Sequence, residues 1–130
     1  MIIVDDKLCL DALAGRLHSP EPVATTWSFH YRLLRALRDG SRWGALSRTA
    51  TADAHRLAAD PPESRLRVLD PRVVTDEAAG LAVRHGLNLL AAELIAEAKH
   101  FRAEVHLSAP NVGLRWADVM AAEGVGLTVV

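Results

Sequence analysis

Apolar and polar positions fall along this chain in blocks of two different periods. Ile2-Ile3-Val4 is a β-branched run stopped by Asp5 and Asp6, and it predicts a short strand buried on both faces. Leu8, Leu10, Ala12 and Leu13 then follow helical spacing up to a stop at Gly15. A polar, proline-bearing stretch over 16–22 reads as a loop. Val23-Ala24-Thr25-Thr26 leads into a helix beginning at Trp27, with Thr25 or Thr26 as its cap and Gly40 as its stop. Trp27, Tyr31, Leu34 and Leu37 recur at helical spacing and predict its apolar face.

Residues 41–64 show little periodicity and predict irregular or short helical structure, closed by Pro61-Pro62. A strand is predicted over 66–69 and a helix from a Thr75 cap to Gly86. The longest periodic segment runs from Asn88 to Ala103, with Leu90, Leu94, Ala98 and Phe101 inward and Glu93, Glu97, His100 and Arg102 outward. A strand over 104–108, a helix over 112–122 and a strand over 126–130 complete the pattern. Strands alternating with helices predict an α/β fold: three layers, with a mainly parallel sheet of four or five strands and right-handed crossovers.

At 130 residues the chain suits one domain, and residues 1–130 are read as such. Half the residues are apolar, which argues against disorder, and a net charge of −1 gives no global attraction to nucleic acid or acidic membranes. Any contact with nucleic acid must then be a local patch. The one cysteine, Cys9, lies in an apolar stretch; it reads as a small core residue and fits a reducing compartment. No apolar run reaches spanning length and no basic segment precedes an h-region, so a cytoplasmic protein without a membrane partner is expected.

Three features carry candidate chemistry. Asp5 and Asp6 end the first strand, where open α/β sheets bind ligands; each is either an N-cap or a metal or proton-transfer group. Arg32, Arg35, Arg38 and Arg42 recur along one helix, giving either a phosphate-binding stripe or a solvated face. Glu97 and His100 have the E-x-x-H spacing of a bundle metal site, but no second E-x-x-H faces them, and a solvated face is the simpler account. His106 reads as a strand residue satisfied by hydrogen bonds. Phosphate loops and nucleophile elbows are absent from the sequence.

Ile2-Ile3-Val4-Asp5-Asp6 resembles the opening of a receiver domain, but the lysine that family needs after its last strand is missing: the two lysines are Lys7 and Lys99. A longer resemblance is to the PIN domain of toxin ribonucleases. It rests on Ile2-Ile3-Val4-Asp5 with Leu10-Asp11-Ala12-Leu13-Ala14-Gly15, then on Ala24-Thr25-Thr26 through Tyr31 to Leu37. Arg67-Val68-Leu69-Asp70, Ala82 to Leu87, Leu94-Ile95-Ala96, His106-Leu107-Ser108 and Gly124-Val125 continue it.

That resemblance implies carboxylates at the sheet's rim holding magnesium or manganese, which would activate water against a phosphodiester. Asp5 matches the first acid, whereas the second falls on Arg32, the third on Ala92 beside Glu93, and the fourth on Pro110 beside Asn111. The implied protein is therefore a PIN-like domain that has lost metal-dependent hydrolysis and acts as a binding or regulatory module, on RNA or a protein partner, with no cofactor. Asp5 is its remnant catalytic acid, and Arg32 is expected to replace the metal by pairing with Asp5. The alternatives are an active ribonuclease holding magnesium or manganese through Asp5, Asp6 and Glu93, and a receiver-like signalling domain. An antitoxin-like partner is implied too. So is a homodimer anchored by Trp27, Phe29 and Tyr31, unless those rings fill the core.

Overall fold

The computed structural model describes residues 1–39 and 48–130, with the side chains of 48–51 left aside. Arg42, Trp43 and the stop expected at Gly40 lie outside the described residues. The described elements are β1 (Ile2–Val4), α1 (Asp6–Leu13), β2 (Val23–Thr25), α2 (Trp27–Asp39), α3 (Arg48–Ala59) and β3 (Arg67–Val68). A 3-10 turn at Pro71–Val74 leads into α4 (Thr75–His85), α5 (Leu89–Phe101) and β4 (Glu104–Leu107). A second 3-10 turn at Ala109–Asn111, α6 (Trp116–Ala122) and β5 (Leu127–Val129) complete the series.

The five strands form one parallel sheet in the order β3-β2-β1-β4-β5, with helices on both faces. The α/β class and the mainly parallel sheet expected from the pattern are therefore observed. β2 is the strand that the periodicity alone folded into the helix entrance. Three residues are too few for a period, yet Val23, Ala24 and Thr25 pair in register with Ile2, Ile3 and Val4. The Thr25 hydroxyl also donates to the Val4 carbonyl at 2.8 Å.

Two clusters pack against the sheet. Ile3, Ala24, Phe29, Leu81, Leu94, Ile95, Val105, Leu107 and Met120 fill one side. Ile2, Val4, Leu8, Cys9, Leu33, Leu37 and Leu66 fill the other. Burial of Cys9 pushes its thiol up to about 12, which makes it an inert core group.

α2 begins as expected, with the Thr26 hydroxyl accepting from the Phe29 amide at 3.1 Å. Its buried stripe is Phe29, Leu33 and Leu37, whereas Trp27 and Tyr31 are exposed. The expected face is thus corrected in two of its four members. Helical spacing admits both stripes, and packing against the sheet selects the aliphatic one.

α5 departs further from expectation. Every residue from Ala91 to Ala98 is buried, including Glu93 and Glu97, which were expected on the outer side. α2, α4 and the first 3-10 turn all contact this helix, so it has no solvated side there. The Asn88 side chain caps its start, accepting from the Ala91 amide at 3.0 Å.

Glycines set two local geometries. Gly86 ends α4 at φ 67°, a left-handed conformation that favours residues without a Cβ. Gly113 lets the segment after β4 pass against Trp116, since a Cβ there would lie 2.2 Å from the indole nitrogen. Trp116 is buried, and Arg115 beside it donates to the His85 carbonyl at 2.9 Å. These contacts anchor the segment that carries Ser108 and Asn111 to the rim.

Candidate functional site

Strand order reverses between β1 and β4, and the carboxyl ends of such a pair open onto the crevice where α/β sheets take ligands. β1 delivers Asp5 to that point and β4 delivers Ser108. Asp5 is fully buried and is the N-cap of α1, its Oδ1 accepting from the Leu8 amide at 2.9 Å. Its Oδ2 accepts from the Ser108 amide at 2.7 Å, the Ser108 hydroxyl at 2.5 Å and the Asn111 side-chain amide at 2.9 Å. A carboxylate oxygen offers about two lone-pair directions, so the three donors on Oδ2 leave it none, while Oδ1 takes the helix amide.

Asn111 links this acid to its neighbour. Its amide nitrogen also donates to Asp6 Oδ1 at 2.7 Å, while its oxygen accepts from Arg32 at 3.3 Å. Nitrogen toward two carboxylates and oxygen toward a guanidinium is the orientation that the charges require. Arg32 Nε lies 3.5 Å from Asp6 Oδ2, which closes a ring of Asp6, Asn111 and Arg32.

The expected pair of Asp5 with Arg32 is therefore corrected: Arg32 meets Asp6, and Asn111 stands between it and Asp5. Asp5 points down into the turn between strand and helix, where backbone donors claim it. Asp6, one step on in the helix, faces the cleft. The Arg32 guanidinium also lies 5.7 Å from the Phe29 ring centroid, which holds it toward the rim. Arg35 and Arg38 remain exposed, so the arginine stripe divides.

A cleft of about 240 Å³ opens above this network, lined by Asp6, Lys7, Arg32, Ser108, Pro110 and Asn111 among others. A neighbouring hollow of about 250 Å³ is bordered by Asp6, Arg32, Arg35, Ala36 and Asp39. Two acids and three bases line the two together. Such a surface has donors for an anionic group and too little negative charge to favour a bare dication.

Glu93 and Glu97 occupy a separate buried corner. The Glu93 carboxylate accepts from the Ser28 hydroxyl and, at 3.4 Å, from the Ser28 amide. Both Glu97 carboxyl oxygens are buried without a hydrogen-bond partner among the described residues. Burial, then the charges of Glu93 and Asp70, push the Glu97 carboxyl up to about 8. His106 is likewise corrected: its buried Nε2 makes no hydrogen bond among the described residues and lies 3.5 Å from Glu104 Oε1.

The residues present do not fit a divalent cation. Asp5 is buried under four protein donors, Asp6 is shared between Asn111 and Arg32, and Glu93 is turned to Ser28. Among the described residues no group of three or more His, Cys, Asp or Glu side chains is arranged to hold a metal ion. The shifted set of Asp5, Asp6 and Glu93 thus does not converge on one ion.

Sequence reasoning placed Asp5 and Asp6 on the rim but gave Asp5 the partner Arg32, missing Ser108 and Asn111. A hydroxyl residue closing a strand, with an asparagine three places on, was the available signal for Ser108 and Asn111. For Glu97 the signal was the alanine-rich, almost uninterrupted apolar run around it. Comparison of the chain with protein-family models and with curated proteins finds no match. Among the described residues no helix is long and apolar enough to cross a membrane.

Proposed function

We propose that this chain is a PIN-like domain whose acidic rim has become an internal hydrogen-bond network, and that it is a binding or regulatory module for RNA rather than a metal-dependent nuclease. One observation carries the reading: the fully buried rim acid, Asp5, accepts four hydrogen bonds from Leu8, Ser108 and Asn111. A dication would have to displace three or four hydrogen bonds to reach it, with Arg32 close by. The strand order and the switch-point cleft support a ligand at this rim, and Lys7, Arg32 and Arg35 supply donors for a phosphate. An antitoxin-like protein is the partner class that goes with this reading, and the cytoplasm its compartment.

Calorimetric titration with manganese, followed by incubation with an end-labelled short RNA, tests it. The expected result is no saturable heat and no cleavage. Metal-dependent cleavage that disappears in Asp6→Asn would overturn the proposal and restore the active ribonuclease.

A further inference from the structure

α2 carries a second arrangement, which adjoins the rim network and shares Arg35 with the hollow beside it. Trp27, Tyr31, Arg35 and Arg38 follow one another at spacings of four, four and three residues, which aligns them in one strip. All four are exposed; Trp27 keeps 51% and Tyr31 52% of its surface in water. Their rings lie nearly parallel, 13° apart in plane with centroids 5.9 Å apart. Tyr31, Leu34, Arg35, Arg38 and Asp39 border an open groove of about 530 Å³. The strip runs for about 16 Å along the helix axis.

Paired aromatic rings held in water suggest a surface that a ligand covers. The strip combines flat π faces with guanidinium charge, and these two chemistries together suit a chain of unpaired bases joined by phosphates. Stacking on rings is indifferent to base identity, and arginines next in line along the helix meet the backbone. A second copy of this chain fits less well. A two-fold contact centred on the strip would gather the Arg35 and Arg38 of both copies, four guanidinium groups, into one interface with only Asp39 of each copy beside them. An acidic peptide would answer the charge and leave the stacked rings without a purpose.

We propose that the Trp27–Tyr31–Arg35–Arg38 strip is a stacking platform for the unpaired bases of single-stranded RNA, with the two arginines holding its phosphates. This rests on the RNA reading above and adds where, and by which groups, the strand is held. Because the rings are half in water, their removal should leave the fold intact, which thermal melting checks.

The test is fluorescence anisotropy with a labelled single-stranded RNA of about ten nucleotides and with an abasic strand of equal backbone charge. Wild type should bind the base-bearing strand about ten-fold tighter or more. Trp27→Ala with Tyr31→Ala should reduce that affinity to the abasic level, while Trp27→Phe keeps most of it. Arg35→Ala with Arg38→Ala should weaken both strands and flatten the salt dependence. If the double aromatic variant binds RNA as wild type does, the platform is overturned and the RNA reading survives. Equal wild-type affinity for both strands has the same consequence. If neither strand binds, both readings fall. Sedimentation completes the test: a wild-type dimer that the aromatic variant turns into a monomer, with RNA binding unchanged, would give this face to a second copy and overturn the platform.

Discussion

Asp5 and Glu97 are both fully buried acids, and the molecule treats them in opposite ways. Asp5 receives four donors, while Glu97 receives none among the described residues. The difference comes from their addresses. Asp5 stands where a strand ends and a helix begins, and the first amides of a helix have no partners within it. The turn after β4 adds the Ser108 amide, which the sheet no longer uses. Glu97 stands in the middle of α5, where the backbone donors are committed to the helix. Its surroundings are apolar side chains and two further acids, Glu93 and Asp70. A buried carboxylate is stable at the end of an element and strained in its interior.

The largest effect should come from emptying the satisfied site. Asp5→Ala would leave the amides of Leu8 and Ser108 and the side chain of Asn111 without their acceptor. We expect a loss of about 3–5 kcal/mol in urea unfolding. A loss below about 1 kcal/mol would mean that water replaces the carboxylate freely and that the network contributes little.

Next comes the unsatisfied acid. Between the ordinary glutamate value of 4.5 and its folded value of about 8, Glu97 keeps a proton in the native state and releases it on unfolding. The native state then binds more protons, so stability falls as pH rises through this window. Glu97→Gln cannot ionise, and relative to wild type it should gain about 1–3 kcal/mol between pH 5 and pH 8.5. Parallel urea midpoints for the two proteins across that range would show that Glu97 titrates normally.

The smallest effect concerns Arg32. Its guanidinium is partly exposed beside Asp6, so Arg32→Ala should cost about 0.5–1 kcal/mol, against less for Arg35→Ala. Asp6→Ala should cost little beyond Arg32→Ala when the two are combined, if their ring with Asn111 acts as a unit. Fully additive losses would remove the ring as a structural device.

The fold was legible where a segment is long or sharply bounded. Ile2-Ile3-Val4 ended by two aspartates, the threonine cap before Trp27 and the Gly86 stop each state their structure locally, and all are observed. β2 was hidden because three residues carry no period and its partner lies a loop away. The wrong face of α2 arose because two apolar stripes share that helix, and spacing does not rank them. On α5, two glutamates at helical spacing read as an outer face, since nothing local reveals that three elements close over it.

At the site, the sequence alone determined that Asp5 and Asp6 end a central strand, because a β-branched run followed by acids is a local signal. Tertiary structure alone decided which aspartate meets Arg32, that Ser108 and Asn111 donate to Asp5 from more than a hundred residues away, and that Glu97 is buried without a donor near Glu93 and Asp70. Hydrogen bonds and desolvation depend on which groups packing brings within about 3 Å, and that proximity is a property of the assembled layers rather than of neighbours in sequence.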